Sequence, residues 1–103
     1  MASLIFQDPD AIEIVRFVPQ SFDREIAAIG GNPVGWIDSA YWGKIKRAKY
    51  CCTMFDGQLE LRAENISKAR VALLRRLADW YDSAGELHSD IARLIRLQAD
   101  ALS

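Results

Sequence analysis

Residues 34–62 read VGWIDSAYWGKIKRAKYCCTMFDGQLELR, and the period assigned to their apolar positions decides the fold. Ile37, Tyr41, Ile45, Ala48, Cys52 and Phe55 follow one another at intervals of 4, 4, 3, 4 and 3. At 100° per residue they fall within about an 80° arc, one buried stripe of a helix. The same stretch can be read as two strands, 49–55 and 58–62, of a hairpin turning at Asp56-Gly57. The helical stripe is the longer pattern, so the sequence predicts a helix over 35–55. An α+β fold with a hairpin at 49–62 is the alternative.

Upstream, Asp8-Pro9-Asp10 has the form of a helix start, with an Asp cap, Pro in the first turn and a second acid at the positive end of the dipole. Ile12, Val15 and Val18 continue it at helical spacing until Pro19, although Ile12, Ile14, Val15, Phe17 and Val18 also suit a strand. Ser21 can cap a second short helix with Phe22, Ile26 and Ile29 on one side, and Gly30-Gly31-Asn32-Pro33 would end it. Downstream, Leu73, Leu77, Trp80, Ala84, Leu87, Ile91, Leu94, Gln98 and Ala101 alternate steps of 4 and 3, the a/d spacing of four successive heptads. Leu74, Tyr81, Ile95 and Leu102 widen that stripe beyond a strict coiled-coil seam. Ser83-Ala84-Gly85-Glu86 fits a capping box and would divide the segment into a hairpin. The unbroken hydrophobic phase argues instead for one long helix with Gly85 tolerated, and both readings stay open.

The expectation is therefore an all-α single domain over 1–103, a small helical bundle of four or five helices at 9–18, 21–29, 35–55, 58–83 and 84–102, the last two fused or folded as a C-terminal hairpin. Its core would include Ile37, Tyr41, Ile45, Cys52, Phe55, Leu73, Leu77, Trp80, Leu87, Ile91 and Leu94.

The 103 residues leave room for one domain, and 50% apolar with 26% charged residues is ordinary globular usage. Thirteen bases against fourteen acids give a net charge of −1, so no global field draws the chain to nucleic acid or to a membrane. The charge is segregated all the same. Residues 1–40 hold six acids and two bases, whereas 41–50 hold four bases (Lys44, Lys46, Arg47, Lys49) and no acid. Such segregation makes local patches that can steer a partner, or simply solvated faces. Residues 1–10 lack the basic start and long apolar run of a signal peptide, and no stretch has the length of a membrane span, so a cytoplasmic location is the expectation.

The residues supply little for catalysis. The cysteines, Cys51 and Cys52, are neighbours without CxxC spacing, and His88 is the lone histidine. A dyad needs a nucleophile, a base and an orienting group, and no such set is visible. Gly30-Gly31-Asn32-Pro33-Val34-Gly35 lacks the Lys-Ser/Thr of a phosphate loop. The sequence predicts no enzyme, no metal and no cofactor.

What remains is recognition. On the predicted helix 35–55, Trp42, Lys46, Arg47, Lys49 and Tyr50 gather away from the apolar stripe, aromatic and cationic types enriched where proteins bind partners. The C-terminal stripe offers Leu73, Leu77, Trp80, Leu87, Ile91 and Leu94 to a homodimer or a partner helix. The expectation is thus a non-catalytic protein–protein interaction module, an adaptor, antagonist or accessory subunit that dimerises through its C-terminal region. The alternative is a nucleic-acid-binding regulator using the basic-aromatic helix 36–55.

Overall fold

A computed structural model describes residues 13–39, 50–55, 60–85 and 88–103. It overturns the all-α bundle. The chain is α+β, an antiparallel meander of five strands followed by two helices. The strands are β1 (Arg16–Ser21), β2 (Arg24–Ile29), β3 (Asn32–Ser39), β4 (Tyr50–Met54) and β5 (Glu60–Ala63), each hydrogen-bonded to the next. The helices are α1 (Ile66–Ser83) and α2 (Ser89–Leu102). Of the predicted helices, 9–18 is replaced where described by β1, and 21–29 by β2. The helix over 35–55 is replaced by β3 and β4, whose connection 40–49 lies outside the described residues, as does Asp8-Pro9-Asp10. The predicted helix over 58–83 shortens to α1, because β5 occupies its start.

Local chemistry accounts for each change. Gly30 and Gly31 have φ of 58° and 84° and sit between the paired residues Ile29 and Asn32. Two successive positive φ angles are the demand of a tight hairpin turn, which glycine meets without a Cβ clash. The Gly-Gly pair therefore turns a hairpin, where the sequence suggested a helix stop. Pro19 is tolerated because β1 is an edge strand, and the register slips between Pro19 and Ser21. Along β2, β3 and β4 the inward positions alternate: Ala27 with Gly35, Glu25 with Ile37 and Cys52, then Met54. That period of two puts Ala27, Ile37, Cys52 and Met54 in the core.

α1 begins at Asn65, whose side chain accepts a hydrogen bond from the Lys68 amide at 2.8 Å. It ends at Gly85, where φ of 120° is closed to other residues, so the C-terminal region is a hairpin and not one long helix. Ser83 belongs to the last turn of α1, its hydroxyl donating to the Trp80 carbonyl, and does not act as the cap of the next helix. Arg96 on α2 reaches Asp79 and Asp82 on α1, and Arg75 reaches Asp100 at 3.2 Å. These exposed pairs set the hairpin's alignment and add little stability.

α1 lies across β3, β4 and β5, and α2 packs beside it. The core combines Val15, Ala27, Val34, Ile37, Cys52 and Met54 from the sheet side with Ala69, Leu73, Leu74, Leu77 and Ala78 of α1 and Ala92, Ile95 and Ala99 of α2. Within the predicted core, Ile37, Cys52, Leu73 and Leu77 are buried, Ile91 and Leu94 are half-buried, and Phe55 and Trp80 remain exposed. Tyr41, Ile45 and Leu87 lie outside the described residues. On α2 burial centres on Ala92, Ile95, Gln98 and Ala99, which displaces the expected Ile91–Leu94 stripe around the helix. No helix among the described residues is long and apolar enough to cross a membrane.

Gly35 marks where α1 seats on the sheet. A Cβ there would stand 2.8 Å from the Thr53 carbonyl oxygen and 3.2 Å from Leu73 Cδ1. Gly35→Ala is therefore expected to cost about 1–3 kcal/mol, the range for overpacking a close-fitted site. An unchanged urea midpoint would show that α1 does not press on β3 at this point.

Candidate functional site

The meander brings three connections to one end of the sheet. There β1 turns into β2 through Phe22-Asp23, β3 passes into β4 through residues 40–49, and β5 passes into α1. Of the predicted contact residues, Trp42, Lys46, Arg47 and Lys49 fall in the segment outside the described residues. Tyr50 is the first residue of β4, half-buried and paired with Ser39 and Ala63. Pairing of Ser39 with Tyr50 pins both ends of the ten-residue segment to this end of the sheet. The segment carries Lys44, Lys46, Arg47 and Lys49, with Tyr41 and Trp42, and no acid.

At the same end the β1–β2 turn presents Phe22, which is 100% exposed. The turn is held from two directions. The Ser21 hydroxyl donates to Asp23 Oδ1 at 2.7 Å, and the Ser39 amide donates to the Asp23 carbonyl at 2.8 Å. Behind Phe22 a cavity of about 300 Å³ opens on the helix side of the sheet, between Pro19 and Glu25 on one hand and Ile37, Ser39, Tyr50 and Ile66 on the other.

The described cations around this cavity are committed to carboxylates. Arg70 crosses from α1 to Glu25 with two bonds of 2.7 Å and stands 5.6 Å from the Phe17 ring centroid. Arg24 binds Asp38 at 2.7 and 3.2 Å and lies 5.4 Å from the Trp36 ring centroid. The hydrogen bond to the partner carboxylate is the main cause raising each guanidinium's pKa, for Arg70 from Glu25 and for Arg24 from Asp38. Among the described residues Asp23 forms no ion pair, and the cavity lining includes its carboxylate, the hydroxyls of Ser21, Ser39 and Tyr50, and the aromatic rings of Phe22 and Tyr50.

The other expected surface is placed differently. Leu73 and Leu77 are fully buried between α1 and the sheet and have no area to offer a second chain. Ile91 and Leu94 are half-buried, and Leu87 lies outside the described residues. Trp80 is 37% exposed and meets Phe55, itself 44% exposed, edge-on at 5.0 Å. Tyr81 extends the group, with the His88 ring 5.7 Å away.

Burial pushes the Cys52 thiol up to about 12, with a smaller contribution from Cys51. Its Sγ donates to the Ala69 carbonyl at 3.4 Å, so near neutral pH Cys52 is a core thiol with no thiolate character. Among the described residues no group of three His, Cys, Asp or Glu side chains could hold a metal ion.

The sequence singled out the basic-aromatic stretch and Tyr50, of which only Tyr50 is among the described residues, and it did not single out Phe22, Asp23 or the cavity. Ser21-Phe22-Asp23 reads as a helix cap in isolation. Recognising it as a turn required both flanks to be read as alternating strands. Comparison with known proteins adds nothing to this geometry: no family model, no curated protein and no solved structure matches this chain.

Proposed function

We propose that this chain is a small non-catalytic module that binds a nucleic-acid strand at the end of its sheet, through the β3–β4 connection and the β1–β2 turn. The observation that carries this reading is that Ser39 and Tyr50, which flank a stretch of four bases, two aromatics and no acid in the sequence, pair at the same end of the sheet as the fully exposed Phe22. Lysine and arginine there would pair with phosphates, and the aromatic rings would stack on bases. A net charge of −1 suits a short single-stranded or looped target better than a long duplex, because few phosphates are engaged. The burial of Leu73 and Leu77 within one chain removes the main support for the C-terminal dimer seam.

The reading is tested by fluorescence anisotropy with a labelled 15-nucleotide single strand. Binding is expected to weaken with salt at a log–log slope of roughly −2 to −3, as counterions are released from about three or four neutralised phosphates of a single strand. The double substitution Lys46→Glu with Arg47→Glu should weaken it at least about tenfold. Binding that ignores both salt and the double substitution would discard the proposal.

One observation favours a second reading, a protein partner. Phe55 and Trp80 form an exposed aromatic pair at the opposite end of the sheet, a residue type that anchors protein interfaces. A second copy of the chain, if it docks, has this pair available in place of the buried leucines.

A further inference from the structure

The face of the sheet turned away from the helices carries an aromatic row between two cations. A Cβ on Gly35 would meet Leu73 of α1, and Ile37 is in the core, so Trp36 between them points to the opposite face. The register fixes its neighbours there. Trp36 lies opposite Ile26, and Ile26 opposite Val18, which makes a row Val18–Ile26–Trp36 across β1, β2 and β3. Trp36 and Ile26 are half-buried, whereas Val18 is 50% exposed, so the row opens to solvent toward β1. One row nearer the β1–β2 turn, Arg24 lies opposite Asp38; one row further from it, Arg16 lies opposite Ala28. Both arginines are exposed, and successive rows stand about 7 Å apart. Arg24 is tied to Asp38 by two bonds, with its guanidinium 5.4 Å from the Trp36 ring centroid. Two arginines against Asp38 leave these three rows positive, in a chain whose net charge is −1.

An apolar partner would desolvate both arginines to reach the row, at a cost in free energy. A nucleic-acid strand instead brings a planar base to the ring and a phosphate to the cation on either side. Resting on the nucleic-acid reading above, we infer that a bound single strand runs from the end of the sheet onto this face. One base stacks on Trp36 above Ile26 and Val18, and Arg24 and Arg16 take the phosphates that flank it. Stacking on an indole accepts any base, so this contact adds affinity without sequence preference.

The test uses the whole chain carrying Trp42→Phe and Trp80→Phe, which leaves Trp36 as the one indole of three. Saturation with a 15-nucleotide thymidine strand is expected to quench its emission, and an abasic strand with the same number of phosphates is expected to leave it unchanged. In the wild-type background Trp36→Leu should weaken the thymidine strand about tenfold, within the range for one stacked base, and spare the abasic strand. Val18→Asp, at an exposed position beside the row, should weaken both strands severalfold. Leu97→Asp on α2, 40% exposed, makes the same charge change away from this face and should shift either affinity less than about twofold. Circular dichroism and urea midpoints establish that each variant folds; if Trp36→Leu does not, the quench and Val18→Asp decide. Strands that bind through Lys46 and Arg47 but leave Trp36 emission unchanged, or that bind Val18→Asp and Leu97→Asp alike, overturn this inference alone. If no strand binds, the function it rests on falls with it.

Discussion

Gln98→Leu is expected to destabilise the fold by about 3–5 kcal/mol, although it replaces a polar side chain with an apolar one of similar size at a buried site. The reason lies in what Gln98 holds. Its Oε1 accepts from the Ile14 amide at 3.1 Å and the Val15 amide at 3.0 Å, and its Nε2 donates to the Val15 carbonyl at 2.7 Å. Residues 14 and 15 precede β1 and have no strand partner there, so one side chain from α2 satisfies three main-chain groups. Val15 is 1% exposed and Gln98 5%, which keeps replacement water from reaching those groups. Each orphaned buried group costs about 1–3 kcal/mol. Urea unfolding should show the loss, and hydrogen exchange at the Val15 amide should rise toward that of an unprotected site. Gln98→Glu separates the two kinds of bond, because a carboxylate still accepts from both amides but faces the Val15 carbonyl without a donor. Protonation restores that donor, so this variant should recover stability relative to Gln98→Leu as pH falls. Equal stability of wild type and Gln98→Leu would mean that α2 does not anchor the start of the sheet.

Leu77→Ala should cost about 2–5 kcal/mol, the range for deleting a fully buried leucine whose surroundings cannot collapse. Leu77 is 0% exposed, on the face of α1 enclosed by the sheet and α2, with Leu73, Leu74 and Ala78 equally buried around it. The rigid sheet on one side and alanine-lined α2 on the other limit how far neighbours can move into the void. For a chain of this length the total stability is on the order of 5–15 kcal/mol, so the loss is a large share of it. Leu97→Ala makes the control, since Leu97 is 40% exposed on α2 and its truncation should cost less than about 1 kcal/mol. Similar midpoints for the two variants would remove Leu77 from the centre of the core.

Ile37 and Cys52 show how far the sequence could be read. The helical stripe places both in the core, and both are buried. It also sets them 15 residues apart along one helix, which at 1.5 Å per residue is about 22 Å. In the structure they are directly opposite partners on β3 and β4. An apolar side chain leaves water whichever element carries it, so burial was legible while distance was not. The strands are only eight and five residues long, too few positions to separate a period of 2 from one of 3.6 once the intervening segment is included. The candidate site was legible by the same rule. The run of bases at 44–49 is a property of composition and shows in the sequence, whereas the proximity of Phe22, Asp23 and Tyr50 depends on strand order and does not.

By itself the sequence determined the helical character of 66–83 and 89–102, the burial of Leu73, Leu77, Ile37 and Cys52, the segregation of charge, and the absence of a recognisable catalytic motif. Those properties follow from local periodicity and side-chain chemistry, which neighbours in the chain express without outside help. Tertiary structure alone decided that residues 16–39 form strands, that Gly85 breaks the C-terminal segment into a hairpin, and that Gln98 closes the sheet's first residues against α2. It also placed Leu73 and Leu77 within one chain's core, between the sheet and the helices. A short β-strand is stabilised by partners distant in sequence, and the sheet supplied the apolar surface against which α1 buried its stripe.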